Sequence, residues 1–427
     1  MKRVGGLFDR IWDRDVLVAA VWRAARGKRD RPEVRSLLAR AETEWRSMAT
    51  ELRTGAFRFG PYRTFQIRDT KTRMIHAPTF RDRVAHHAII GVTGPIFERG
   101  ALPTSFACRA GRGQHAALDV ASRWTHRGGW YGKIDVEKFY DSVDHATLLS
   151  LLRRRFRERR LLGLFETLIA SYETAPGKGI PIGALTSQYL GNFMLDEFDR
   201  RILATGCAAR MVRYMDDVVF WGNRTSLGTV RSAARTILAD LGLAMKHDGE
   251  WNRCERGVPF LGFVLYPGRV RLNAKGRCRL RRRLVALEGA WKAGNVSDSE
   301  LQTRVASMFA HAAHGDDLAW RRDLVARSRY AVGHGVQHGP ETDGTFSRGR
   351  ESRDSRRLVD QLGEELPVVQ PQQELARQPQ QEPGLQEGLS SLSRPRHDGA
   401  PPTDDAASRS SATCVWNEFP GLAPGER

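Results

Sequence analysis

Two acidic residues lie side by side in one of the most apolar stretches of this 427-residue sequence. The stretch is MVRYMDDVVFW, 211–221, and the pair is Asp216 and Asp217. Adjacent buried carboxylates repel each other and are poorly solvated, which costs several kcal/mol without a counter-charge. A hairpin turn at the pair exposes both groups at one sheet edge, and a divalent cation offsets the remaining repulsion. A surface turn that is merely acidic would account for the pair alone. It would not account for Asp135, which ends a second apolar run in GKIDVEKFYDSVDH, 132–145, just before a helical pattern. Three carboxylates on two strands are the donor set of a two-metal phosphoryl-transfer site, in which one ion activates a hydroxyl and the other stabilises departing pyrophosphate. Hard oxygen donors in a basic chain, with no His/Cys cluster, favour two Mg²⁺ ions, with Mn²⁺ as a substitute, over zinc. Asp141 and Asp144 read as solvated helix acids.

The elements that must position these groups follow from periodicity. Residues 7–54 carry apolar residues at helical spacing, for example Leu7, Ile11, Val18, Val21 and Trp22. Tyr62–Ile67 and Arg73–Ile75 read as a strand pair around the polar turn Arg68–Lys71, and Phe80–Ile90 as a helix. Trp130–Val136 is a predicted strand, with helices over Lys138–Phe156, Leu161–Tyr172 and Ala184–Thr205. Met211–Trp221 is a predicted hairpin and Ser226–Leu241 a helix; Pro259–Tyr266 with Val270–Leu272 is a second hairpin, and Arg277–Ala331 a basic helical region. This order is α+β, not a regular βαβ array.

The chain carries a formal charge of +19, unevenly spread. From 341 onward ten Arg face fifteen acids, so the first 340 residues carry +24. Such a balance points to a polyanion partner, most often nucleic acid. Lys71 and Arg73, two apart on the predicted hairpin, project to one face and suit a triphosphate clamp. Arg109 and Arg112 flank glycines in CRAGRG and suit a template phosphate; Arg281 and Arg282 lie in RCRLRRRL, 277–284, which suits a nucleic-acid backbone. Lone surface arginines are otherwise solubilising. No apolar run reaches about 18 residues, so no membrane span is expected, and the start MKRVGGLFDRIWDRD lacks the uncharged core of a secretory signal. Five scattered cysteines without a CxxC pair fit a reducing cytoplasm. The absence of GxGxxG and of a P-loop argues against an ATP-driven motor.

The motifs together resemble reverse transcriptases. RYMDD and KIDVEKFYDSVDH are similar to that family's two catalytic carboxylate motifs, in the same order, and FLGFVLYP (260–267) resembles its primer-grip hairpin. The resemblance implies a right-hand polymerase fold, with fingers and palm built on antiparallel sheet and a helical thumb. It implies Asp135, Asp216, Asp217 and the Val136 carbonyl as metal ligands, and Tyr140 as the ring under the incoming sugar that excludes a 2′-hydroxyl. A helix-core aromatic is the plainer account of Tyr140. Lys246 falls where relatives carry a lysine that protonates pyrophosphate. The implied parts are an N-terminal helical segment (1–54), fingers and palm (55–272), a basic thumb (273–338) and a disordered tail (339–427).

Within the family, GIPIGALTSQ (179–188) has Ile182 before Gly183 where most members have Gln, and Ser187-Gln188 where most have Ser-Pro. With FQIRDTKTRMIHAPTFRDRVAHHAII (65–90) and SFACRAGRGQHAAL (105–118), this resembles the reverse transcriptases of diversity-generating retroelements. These copy a template RNA into cDNA with errors at adenines. The resemblance places Ile182, Gly183 and Gln188 at the substrate; an apolar Ile182 loses an oriented polar contact and with it discrimination, unless it only packs the palm. Implied partners are template RNA, primer or cDNA, dNTPs and a small basic accessory protein. A retron-like or antiphage-defence enzyme is the alternative, and an inert RNA-binding protein of this fold is the alternative from another class.

The tail after about 340 is rich in Pro, Gln, Gly, Ser and Glu and is expected to be disordered. It holds QPQQE twice, at 370–374 and 378–382. Such residues can be encoded by adenine-rich codons, so the tail reads either as a disordered linker or as an out-of-frame passage through a template repeat.

Overall fold

The computed structural model describes residues 2–68, 72–208 and 210–326. They fall into two compact units that divide after Arg269.

The first unit opens with four helices, α1 (Phe8–Ile11), α2 (Arg14–Ala25), α3 (Pro32–Ala39) and α4 (Ala41–Thr54). Leu17, Ala20, Val21 and Ala24 form the buried stripe of α2 at three- and four-residue spacing, as an amphipathic helix requires. Gly55, in the left-handed region (φ 75°), ends α4. A two-stranded hairpin follows, the one expected as part of the fingers: β1 (Arg63–Arg68) pairs antiparallel with β2 (Thr72–Ala77). Next is α5 (Phe80–Gly100), whose N-cap Thr79 accepts from the Asp82 amide. Its buried residues lie around its circumference, so it is a central helix, packed by α2 on one side.

The remaining elements of the first unit build a four-stranded sheet and the helices around it. They are α6 (Gln114–His126), β3 (Trp130–Asp135), α7 (Phe139–Ser142), α8 (His145–Arg155), α9 (Arg159–Ile169), α10 (Leu185–Ala204), β4 (Arg210–Tyr214), β5 (Asp217–Gly222), α11 (Arg224–Asp240) and β6 (Glu250–Arg253). The sheet is antiparallel with order β4-β5-β3-β6. Val218 and Phe220 of β5 join a core shared with α8, α9, α10 and α11. A short hairpin, β7 (Val258–Phe260) and β8 (Phe263–Tyr266), turns at Leu261 and Gly262.

Two details differ from the sequence expectation. The single helix predicted over Lys138–Phe156 is two, because Asp144 leaves the helix and caps α8, accepting from the Thr147 amide at 2.7 Å. Asp144 is therefore a capping group, not a solvated helix acid. The predicted strand Pro259–Tyr266 is itself a hairpin, broken at Leu261 (φ 47°) and Gly262 (φ 87°).

The second unit begins within β9 (Arg269–Leu272) and continues as α12 (Ala274–Lys292), α13 (Asp298–Ala312) and α14 (Leu318–Ala326). Leu280, Leu284 and Leu287 face α13, which offers Leu301, Val305 and Phe309. A Ser297–Glu300 capping box starts α13. Asp317, 4% exposed, accepts from the Leu272 amide at 2.8 Å and from Arg277 at 2.9 Å. The sequence-predicted thumb beyond 326 and the tail lie outside the described residues.

Candidate active site

Strand register brings the acidic residues together. Asp135 is the last residue of β3 and pairs directly with Asp217, the first residue of β5. Asp217 in turn pairs with Tyr214 of β4. Met215 and Asp216 are the two residues of the β4–β5 turn, with Met215 held at φ 54°. The three carboxylates therefore leave two adjacent strands at the same end of the sheet. Apolar residues on both strands bury the sheet and leave this end for polar groups.

Each carboxylate has a distinct partner. Lys246 Nζ lies 3.4 Å from Asp135 Oδ2, and Lys133 Nζ lies 3.2 Å from Asp217 Oδ2. Lys133 also donates to the Pro259 carbonyl at 3.0 Å, which ties the site to the β7–β8 hairpin. Asp216 shares a hydrogen bond with Asp135. Burial first, and then the neighbouring Asp135 and Asp217 charges, push its carboxyl up to about 6.

The peptide of Val136 sits opposite Met245, and the two bridging hydrogen bonds run from Glu137 N to Ala244 O and from Lys246 N to Asp135 O. The Val136 carbonyl is thus not one of the bridging acceptors. Among the described residues, no group of three or more His, Cys, Asp or Glu is drawn together tightly enough to hold a metal as it stands. The donor chemistry nevertheless suits a hard divalent cation: oxygen only, with the Asp216 carboxyl raised by burial and by the neighbouring charges that a cation would offset.

Other predicted residues gather around this end. Tyr140 is half-buried, its ring edge-on to Phe139 with centroids 5.4 Å apart. Burial lifts its phenol well above the usual range; Cys108 and Asp216 add to the shift, and Arg73 opposes it. Arg73 projects from β2 and is exposed. Lys71 lies outside the described residues. The Ile182 carbonyl accepts from the His76 amide of β2 at 2.7 Å, which ties the 180–183 segment to the fingers hairpin. Gly183 has φ 121°, and a Cβ there would stand 2.8 Å from Ile75 Cγ2, so glycine is required by both conformation and space. Gln188 accepts from the Cys108 thiol at 3.4 Å.

The remaining basic residues are placed elsewhere. Arg109 is largely buried, and its fork is engaged by Glu98 at 2.7–3.1 Å and by the Leu102 and Ser105 carbonyls. Arg112 donates to the Pro103 carbonyl at 2.6 Å and stacks over Phe106. Arg281 and Arg282 are exposed on α12, in the second unit.

One group was not anticipated. Arg213, two residues before the turn, is fully buried, with Asp196, Asp199 and Asn192 of α10 as partners. The signal was present in the sequence: Asn192, Asp196 and Asp199 recur at i, i+4 and i+7, a polar stripe along one helix face amid the apolar residues Phe193, Met194, Leu195 and Phe198.

Comparison with known proteins agrees with this geometry. Residues 66–265 match the family model described as reverse transcriptase (RNA-dependent DNA polymerase). Protein YkfC of Escherichia coli (strain K12) is 30% identical over 177 residues, covering 38% of this chain and 46% of that protein. The group II intron-encoded protein LtrA of Lactococcus lactis subsp. cremoris is 26% identical over 172 residues, covering 38% of this chain and 29% of that one. This chain therefore spans less than half the length of these curated relatives. Among solved structures, apo telomerase from Candida Tropicalis aligns at 12% identity and a TM-score of 0.41, covering 64% of this chain and 61% of the other. No helix among the described residues is long and apolar enough to cross a membrane. Residues 66–265, a mixed helix-and-sheet region that holds Asp135, Asp216 and Asp217, are thus similar to a reverse transcriptase domain, and the relatives of this stretch include a group II intron-encoded protein.

Proposed function

We propose that the protein is an RNA-directed DNA polymerase that makes error-prone cDNA from a template RNA, as in diversity-generating retroelements. The observation that carries the polymerase reading is the register: Asp135 opposite Asp217, with Asp216 in the adjoining turn, inside the matched domain. Asp135, Asp216, Asp217 and the Val136 carbonyl would hold two Mg²⁺ ions. Bound Mg²⁺ supplies Lewis-acid stabilisation of charge on the attacking and departing oxygens. The chain's own residues do the rest. Arg73, with Lys71, clamps the triphosphate; Tyr140 carries the sugar; Ile182, Gly183 and Gln188 shape the space around the nascent pair. The basic face of α12, with Arg281 and Arg282, tracks the template–primer backbone. Arg112 is the better candidate than Arg109 for a phosphate contact, because the Arg109 fork is already engaged.

On this reading fingers and palm span 55–272 and the thumb 273–338. The partners are template RNA, primer or cDNA, dNTPs and a small basic accessory protein. The diversity-generating part rests on Ile182, half-buried where a polar contact would select the correct pair. Primer extension on an RNA template with Mg²⁺ and dNTPs tests both parts. Extension abolished by Asp216→Ala supports the polymerase. Errors concentrated at template adenines, reduced by Ile182→Gln, support the finer reading; accurate copying would favour a retron-like or antiphage-defence enzyme. No extension with cognate RNA and accessory protein present would favour an inert RNA-binding protein.

A further inference from the structure

Arg213 is 0% exposed and uses its whole fork. Its Nε donates to Asp199 Oδ2 at 2.7 Å, and one terminal nitrogen donates to Asp196 Oδ1 at 2.7 Å. The other terminal nitrogen donates to Asn192 Oδ1 at 2.9 Å and to the Met215 carbonyl at 3.3 Å. Its backbone is fixed as well: its amide donates to Thr104 O at 2.8 Å, and its carbonyl accepts from Phe106 N at 3.0 Å. Asn192 also donates to the Ala107 carbonyl at 2.9 Å. Through its side chain Arg213 thus joins α10 to the turn that carries Asp216, and through its backbone it joins both to the 104–106 segment.

Stability does not explain this arrangement. Buried ion networks are matched or exceeded by well-packed apolar residues of similar size, because desolvation offsets the Coulomb attraction. Burial raises both partners, Asp196 to about 7, so the network is costly to keep dry. The contact that no apolar replacement can supply is the one to Met215 O. Met215 is in the left-handed region, sparsely populated by side-chain-bearing residues, and such a conformation persists only where its surroundings over-determine it.

We propose that Arg213 is a positioning residue: held by Asp196 and Asp199, it fixes the Met215 peptide and so aims the Asp216 carboxylate at the reacting phosphate and its metal. The proposal rests on the polymerase reading above. Arg213→Lys keeps the charge but offers one nitrogen in place of a three-pronged fork, and cannot reach both aspartates and Met215 O at once. Asn192→Ala leaves both aspartate pairs intact; it removes one acceptor of the nitrogen that reaches Met215, together with the bond to the Ala107 carbonyl.

The test uses the full chain with template–primer and dNTP, and compares wild type, both variants and Asp216→Ala. Three quantities are read: extension rate at saturating dNTP, melting temperature, and Mn²⁺ affinity from the electron paramagnetic resonance signal of the free ion. Misplacement of about 1 Å costs on the order of 10²-fold in rate. The expected result is a loss of that order for Arg213→Lys and a smaller loss for Asn192→Ala. Mn²⁺ binding should weaken in both, with the dNTP KM and the Asn192→Ala melting temperature near wild type. Equal rate and Mn²⁺ affinity per folded molecule in Asn192→Ala would overturn the proposal even if Arg213→Lys fails to fold. A wild type that extends while the variants match it overturns the positioning role alone. A wild type that neither extends nor loses Mn²⁺ affinity on Asp216→Ala overturns the polymerase reading and the positioning role with it.

Discussion

Lys246 and Asp135 are joined twice: the Lys246 amide donates to the Asp135 carbonyl at 2.8 Å, and its ammonium lies 3.4 Å from Asp135 Oδ2. On the proposed reading, the ammonium neutralises a carboxylate that a divalent cation would also use. Both side chains are more than a third exposed, so the pair contributes only about 0–1 kcal/mol. Lys246→Met should therefore lower the Mg²⁺ concentration for half-maximal extension, by up to about fivefold, since 1.4 kcal/mol is tenfold. The rate measured across a Mg²⁺ titration checks this. An unchanged or higher midpoint would mean that Lys246 does not compete for Asp135.

Gly183 allows the 180–183 segment to lie against β2. An alanine would meet Ile75 Cγ2 at 2.8 Å and the His76 carbonyl at 3.2 Å while holding φ 121°. Strain and overpacking of this kind cost about 1–3 kcal/mol each. Gly183→Ala should lower the melting temperature and, by releasing the Ile182 carbonyl from the His76 amide, raise the KM for dNTP. A variant with wild-type KM would disconnect this segment from nucleotide binding.

His86 is buried in α5, and its Nδ1 lies 2.7 Å from the Thr186 hydroxyl of α10. Burial, with His87 and Arg83 nearby, depresses its pKa to about 3. A histidine kept neutral in the folded state binds fewer protons there than in the unfolded chain between about pH 3 and 6.5. Stability from this group is therefore full above pH 6.5 and is lost as pH falls. By pH 5 the loss is about 2 kcal/mol. His86→Gln should flatten this dependence. Melting curves at pH 5 and pH 7.5 for both proteins decide it, and parallel declines would remove His86 as the cause.

Asp317 holds together the start of the second unit through Leu272 N, Arg277 and Arg271, the last at 3.5 Å. Removing it leaves a buried amide and two cations without their acceptor. The cost should be about 2–4 kcal/mol, discounted because both arginines keep contact with water. Hydrogen exchange in the full chain should speed up in 270–292 for Asp317→Ala and stay unchanged at β3 and β5. Uniform acceleration would show that the two units do not unfold separately.

The acidic pair was legible because charge inside an apolar run contradicts its surroundings, and the turn at Met215–Asp216 is where the contradiction is relieved. Strand ends carry such information well. The four-residue β6 was not legible: Glu250–Arg253 is polar and short, and its pairing with β3 is a long-range event with no local pattern. Nor was α6, whose start follows Gly113 without a side-chain cap. The two-helix form of 139–155 depended on one cap, Asp144, which propensity alone reads as another helix acid. Arg213 was missed for a different reason. Its partners lie 14 to 21 residues upstream, and a strand arginine beside a tyrosine looks like surface until the helix stripe at 192, 196 and 199 is seen as its complement.

Both rims of the four-stranded sheet carry features that guard an edge. On the β4 side, Thr104–Phe106 runs alongside Arg213 and takes up its amide and carbonyl. On the other side, β6 is four residues long, carries Glu250 and Arg253, and lays Trp251 across Gly132, where even a methyl group would collide with the indole. A short, charged edge strand on one side and a bridging segment on the other disfavour pairing with a stray strand. If the proposed polymerase reading holds, copies of this basic chain concentrated along nucleic acid meet at sheet edges that disfavour strand-to-strand aggregation.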